Sequence, residues 1–156
     1  MRTIYRTIVS AIIISKDGKI LLGKKDPKRQ IYDLDCWHIP GGGVDDGETL
    51  EEGLRREMLE EVGIDINDCS VKLVDDKGKG EAEKILNSGE KVLAKMKFNV
   101  FRVDIDKNAS DVKTSLNDDL IDIKWVEIKD LPKYKQTPPS VELFKRINFE
   151  LETFNN

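Results

Sequence analysis

The sequence predicts an α/β domain in which a mixed β-sheet is flanked by helices. Three observations predict it. The N-terminal residues are rich in Ile, Val and Thr, break at a turn and resume; a capping box announces a helix directly after a glycine run; and further strand-like segments lead into an amphipathic C-terminal helix. At 156 residues the chain suits one compact domain with a real core and no need of disulfides or a structural metal. A single domain over residues 1–156 is expected.

From Thr3 to Ser15 the residues favour a strand, Lys16-Asp17-Gly18-Lys19 signals a turn, and Ile20-Leu21-Leu22 returns, so a β-hairpin is expected. Lys24 to Asp35 mixes charges with Pro27 and reads as a loop, followed by a short strand over Cys36 to Ile39 that Pro40 and three glycines end. Thr49 with Glu52 forms the capping box, Leu50, Leu54, Met58 and Val62 give the apolar stripe, and Gly63 supplies the left-handed stop. Strands are expected over Val71 to Asp75, Lys91 to Ile105 and Ile121 to Ile128. The polar stretch Asp76 to Glu90 reads as a loop with room for a helical turn. After Pro138-Pro139, the residues Val141, Phe144 and Ile147 recur at helical spacing.

The formal net charge of −4, from 30 acidic and 26 basic residues, lacks the basic excess of a duplex binder, so no stable nucleic-acid complex is expected. The longest apolar stretch, Ala11 to Ile14, is far short of a bilayer span, and Met1 to Arg6 lacks the apolar stretch of a secretory signal. A cytoplasmic protein with two thiols, Cys36 and Cys69, and no membrane partner is the expectation.

The chemistry gathers on the predicted helix. Residues there advance by roughly 100°, so Glu57, Glu60 and Glu61 lie within an arc of about 100°. Glu57 and Glu61 repel at i,i+4 spacing, and Glu60 and Glu61 sit where the helix dipole disfavours negative charge. Stability alone does not justify that arrangement; a cation would. Hard oxygen donors suit Mg²⁺, with Mn²⁺ as a substitute, and neither cysteines nor histidines are spaced for zinc. Gly53 costs about 1 kcal/mol relative to alanine inside a helix and opens room for a backbone or a ligand. Gly41, Gly42 and Gly43 let the preceding loop approach a ligand closely. Arg56 points elsewhere than Glu57 and is placed to hold Glu48 in an ion pair that fixes the loop against the helix.

Gly42, Glu48 and the run Arg56-Glu57-Met58-Leu59-Glu60-Glu61-Val62-Gly63-Ile64 together resemble the complete signature of the Nudix hydrolases, matching at every defined position. The resemblance implies an α/β/α sandwich and hydrolysis of a nucleoside diphosphate linked to another group. It implies that Glu57, Glu60, Glu61 and the Gly41 carbonyl hold the metal, with Gly42, Glu48 and Arg56 supporting the site. For the base that accepts water's proton, Asp118, Asp119 and Glu127 are candidates beside the helix carboxylates, and Asp119 is the first by position. Lys25 matches a position where similar proteins set a basic residue against the substrate phosphates, with Lys24 as its neighbour.

The other chemistry-bearing residues read as structural. Cys36 and His38 are too sparse for a catalytic pair or a zinc site, Trp37 belongs in the core with Ile39, and His38 points to the opposite face. Tyr32, Phe98, Phe101 and Tyr134 are candidates for stacking on a base, though strand aromatics are usually core. The small-molecule substrate expected is a nucleoside triphosphate. The proline that ADP-ribose hydrolases of the family tend to carry downstream is missing around Lys79, and the upstream pattern of the coenzyme A subgroup is missing too. Nucleotide sugars are the nearest alternative, and a non-catalytic nucleotide sensor is the reading from another class. A monomer or a homodimer fits.

Overall fold

The computed structural model describes residues 1–25, 35–117 and 120–153. In chain order the elements are β1 (Arg2–Ile14), β2 (Lys19–Lys25), β3 (Trp37–His38), β4 (Gly41–Gly43), α1 (Leu50–Val62), β5 (Ser70–Asp75), β6 (Lys79–Ile85), β7 (Lys91–Asp104), β8 (Leu120–Glu127) and α2 (Pro138–Thr153). Two 3-10 turns, Ala109–Asp111 and Ile128–Lys133, connect the later elements.

All eight described strands join one sheet in the order β3-β2-β1-β7-β5, with β4 on β1, β6 on β7 and β8 on β2. β1 and β7 run parallel along their whole length, from Arg2 opposite Val92 to Ile14 opposite Asp104, and the remaining pairs are antiparallel. The sheet is mixed, as the sequence predicts.

The unbroken apolar run Ala11 to Ile14 in β1 has a simple cause: the strand is buried on both sides from Val9 onward. Alternation sends Val9, Ala11 and Ile13 to a core shared with Leu54, Met58 and Val62 of α1. Ile12 and Ile14 enter a second core with Leu143 and Ile147 of α2. Two apolar layers with the sheet between them make the α/β/α sandwich.

α1 begins and ends where its residues dictate. The Thr49 side chain accepts from the Glu52 amide at 3.1 Å, while the Glu52 carboxylate accepts from the Thr49 amide at 3.0 Å, so two of the amide donors left over at the helix start are satisfied. Gly63 stops it at φ 72°.

Three expectations are corrected. Gly41–Gly43 is itself a strand, β4, set against Ile8, Val9 and Ser10; glycine has low strand propensity, and only the pairing with β1 makes it extended. Asp76 to Glu90 contains β6 instead of a helical turn. β6 is polar because its outward positions face water, and its hairpin closes at Asn87-Ser88-Gly89, with Leu86 N–H donating to the Glu90 carbonyl at 2.9 Å and Gly89 at φ 87°. On α2, Val141 is exposed, and Ser140, Leu143 and Ile147 form the buried stripe with Phe144 half-buried beside them; the helix is rotated from the stripe read off Val141. Tyr32 and most of the predicted Lys24–Asp35 loop lie outside the described residues.

Candidate active site

β4 lays its glycines against the inner face of α1. A Cβ on Gly42 would fall on the Glu57 carboxylate, so only glycine lets that side chain lie on the strand. Gly41 has its N–H directed at Glu61 Oε1, 3.4 Å away, and Glu61 is buried, 5% exposed. Gly53 makes the corresponding allowance on the helix: a Cβ there would meet Val44 and approach Glu48, so its space is taken by the loop between β4 and α1.

Arg56 ties these parts together. Its Nε and Nη2 donate to Glu48, both at 2.9 Å, and Nη2 also donates to the Gly43 carbonyl at 2.8 Å. Its Nη1 donates to Glu57 at 2.9 Å and to Glu60 at 3.2 Å. Arg56 therefore does not point away from Glu57, as helical spacing alone led us to expect; a long guanidinium fork reaches around the helix to its neighbour. These bonds hold Glu48 below the usual carboxylate range, through the Arg56 hydrogen bond first and the Asp45 amide second, and raise the pKa of the Arg56 guanidinium above its ordinary value.

Glu57 behaves oppositely. Desolvation raises its pKa, Arg56 opposes the rise, and the negative charges of Glu60 and Asp45 add to it. The donor set is hard oxygen throughout, and the surplus of negative charge around Glu57 is what a divalent cation would neutralise, so the residues present fit such an ion. Among the described residues no three acidic, histidine or cysteine side chains form a ready-made metal cage. Glu60, 57% exposed at its side chain, stands outermost of the three glutamates.

Lys25 ends β2 opposite Leu120, and its charge is felt by His38 and by Lys84 of β6. Lys24 is engaged elsewhere, with its Nζ 3.6 Å from Asp35 and over the Trp37 ring. Asp118 and Asp119 lie outside the described residues. Glu127 falls opposite Lys19, at the far end of β2 from Lys25. His38 Nδ1–H donates to the Ile39 carbonyl at 2.9 Å. Phe101 is core, Phe98 lies over Gly78 and Gly80, and Tyr134 meets Trp37 edge-on at 6.0 Å.

Sequence reasoning missed Arg6. Its guanidinium lies on the Gly43 backbone, where any side chain would strike it, so Gly43 is held between Arg6 on one side and Arg56 on the other. The signal is the β1–β4 pairing, which nothing in the local sequence announces.

A mixed sheet between two helical layers, with a glycine strand seated under an acidic helix, defines a class, and comparison with known proteins agrees. The NUDIX domain model matches residues 4–147, and the chain belongs to that family. Over 62 residues it is 44% identical to an RNA pyrophosphohydrolase of Wolbachia sp. subsp. Brugia malayi, a stretch that covers 39% of this chain and 35% of the relative. Over 67 residues it is 37% identical to an RNA pyrophosphohydrolase of Aeromonas hydrophila, covering 43% and 35%. The chain thus spans about a third of the length of these curated relatives. The crystal structure of a MutT protein from Methanosarcina mazei superposes with a TM-score of 0.66 at 25% identity, over 96% of this chain and 97% of that one. No helix among the described residues is long and apolar enough to cross a membrane.

Proposed function

We propose that this chain hydrolyses a phosphoanhydride bond in a nucleoside triphosphate or another nucleoside diphosphate derivative, with Mg²⁺ as its metal and Mn²⁺ as a substitute. The observation that carries the reading is the seat of Glu57 on Gly42, a half-buried carboxylate kept beside a strand that has no side chains to interfere. The curated relatives named RNA pyrophosphohydrolase support the bond class, because a pyrophosphohydrolase cuts between phosphates.

In this reading Glu57, Glu60, Glu61 and the Gly41 carbonyl would hold the metal. Once bound, such a cation neutralises diphosphate oxygens and stabilises the charge that builds at phosphorus. Arg56 fixes Glu57 and Glu60 while anchoring Glu48 and the Gly43 carbonyl, so the acidic face and the glycine strand keep one geometry. Lys25 offers a point charge to the phosphates. Asp119 is assigned the proton of the attacking water: the water oxygen bonds to phosphorus, the bridging oxygen leaves with the electron pair, and the proton passes to the carboxylate.

A panel of nucleoside triphosphates, nucleotide sugars and 5′-triphosphorylated oligonucleotides, with products identified by mass, tests the proposal. One or more should be cut in a metal-dependent reaction, and Glu57→Gln should lower kcat/KM by about 10²-fold or more, in the range of losses seen when a group that stabilises the transition state is removed. Tight binding of a panel member with no cleavage of any would leave the sensor reading standing instead.

A further inference from the structure

The face of β1 that lies under α1 at Val9, Ala11 and Ile13 continues to Thr7 and Tyr5, and there it borders an open groove of about 710 Å³ between β1, β7 and β6. Two rungs of the sheet line it. In one, Tyr5, Lys95 and Glu81 stand opposite each other; in the next, Thr7, Lys97 and Lys79 do. The first rung has opposite charges side by side, with Lys95 Nζ 3.6 Å from Glu81. In the second, two lysines face each other directly. Like charges on opposed strand positions destabilise a sheet, and neither Lys79 nor Lys97 has an ion pair among the described residues. Beside them Tyr5 is 79% exposed, a large ring with little core to cover it.

We propose that this groove binds single-stranded nucleic acid, with Lys79, Lys95 and Lys97 against successive phosphates and a base stacked on Tyr5. Phosphates repay the lysine pair for its mutual repulsion, and the exposed ring supplies the stacking platform that an acidic peptide would leave unused. The lysines are point charges on flexible stems and make no pattern that could read base edges, so the site is tolerant of sequence. It is local enough to operate in a chain whose overall charge is −4. The second groove, about 580 Å³, shares Tyr5, Arg6 and Thr7 and reaches Glu48. A strand lying on the lysines is thus directed toward the loop that Arg56 anchors, although the binding site itself does not depend on the hydrolysis proposed above.

Fluorescence anisotropy of the full chain with a short labelled oligouridylate carrying a 5′-hydroxyl, in the absence of divalent metal, tests it, because this probe has no phosphoanhydride to cut. The triple variant Lys79→Gln, Lys95→Gln, Lys97→Gln should bind more than tenfold more weakly. It should also flatten the dependence of log affinity on log salt by about 2, three contacts at roughly 0.7 each. Tyr5→Ala should weaken binding about tenfold while leaving the salt dependence unchanged. Lys97→Gln alone removes a repulsion, so its thermal midpoint should hold or rise, which separates lost binding from lost folding. Unchanged affinity in the triple variant, or displacement of the probe by polyglutamate as readily as by unlabelled oligouridylate, would overturn the proposal. A chain that binds the probe through these residues yet cuts no nucleotide would sink the hydrolysis and spare the groove; an active chain indifferent to the lysine changes would do the reverse.

Discussion

At Gly42 a missing methyl group decides where Glu57 lies. Adding it by Gly42→Ala would push the flexible end of a glutamate and no backbone, so the urea midpoint should stay close to that of the natural chain. The carboxylate must nevertheless leave the strand, and kcat/KM should fall by about 10²-fold, since displacements near 1 Å cost that much in a positioned site. An unaltered rate would show that the seat of Glu57 is immaterial. His38 carries a different prediction. Burial, and then the charge of Lys25, lower its pKa to about 4 from an ordinary 6.5, against the pull of the Ile39 carbonyl. Between those values the unfolded chain binds a proton that the folded ring refuses. Stability is therefore full above pH 6.5 and declines as the pH falls toward 4, by roughly 1 to 2 kcal/mol between pH 7.5 and 5. Urea unfolding at the two pH values should show that loss in the natural chain and a smaller one in His38→Gln. At this scale the places of the three glutamates along α1 were legible because helical spacing alone sets them; Arg6 was not, since its place on Gly43 exists only after β1 and β4 have paired.

Elements whose signals are local were readable, and those that depend on distant partners were not. The caps of α1 are contained in Thr49, Glu52 and Gly63 themselves. β4 has no residue that favours a strand, and β6 has the composition of a solvated loop; both become strands by borrowing the ladder of a neighbour. The register of α2 was misread for a related reason: Val141 fits a helical stripe as well as Leu143 does, and only the position of the sheet chooses between them. One contact that sets this position is the fork of Arg146 on Asp75 of β5, with Nε and Nη2 at 3.0 and 2.9 Å from the two carboxylate oxygens. Burial, the largest single influence, works to raise the Asp75 pKa, but the Arg146 hydrogen bonds and charge together with the Lys77 and Gly78 amides hold the acid below its ordinary range. Arg146→Ala would leave a buried carboxylate, 8% exposed, without its partner. A loss of about 2 to 3 kcal/mol is expected in urea unfolding at pH 7, below the full cost for a wholly buried pair because the arginine is half-exposed.

Across the whole molecule, the sheet keeps the two cores apart. Ile12 and Ile13 are neighbours in sequence, both essentially inaccessible, yet one packs toward α2 and the other toward α1. Each truncation to alanine should cost about 2 to 5 kcal/mol. Because the two side chains share no cavity, the double variant should lose close to the sum; a coupling beyond about 0.5 kcal/mol would contradict the separation of the layers. The fold class was legible from the order of strands and helices, whereas the central parallel pairing of β1 with β7 was not, because no local pattern joins Arg2 to Val92. That pairing also bears on the birth of the protein. On a ribosome β1 emerges long before β7, so the edge of β1 that takes its parallel partner waits open until synthesis has passed Asp104, although β2 and β4 can already lie against the other edge. Long-range closure of this kind slows folding and lengthens the interval in which a nascent chain is vulnerable to chaperone capture or aggregation.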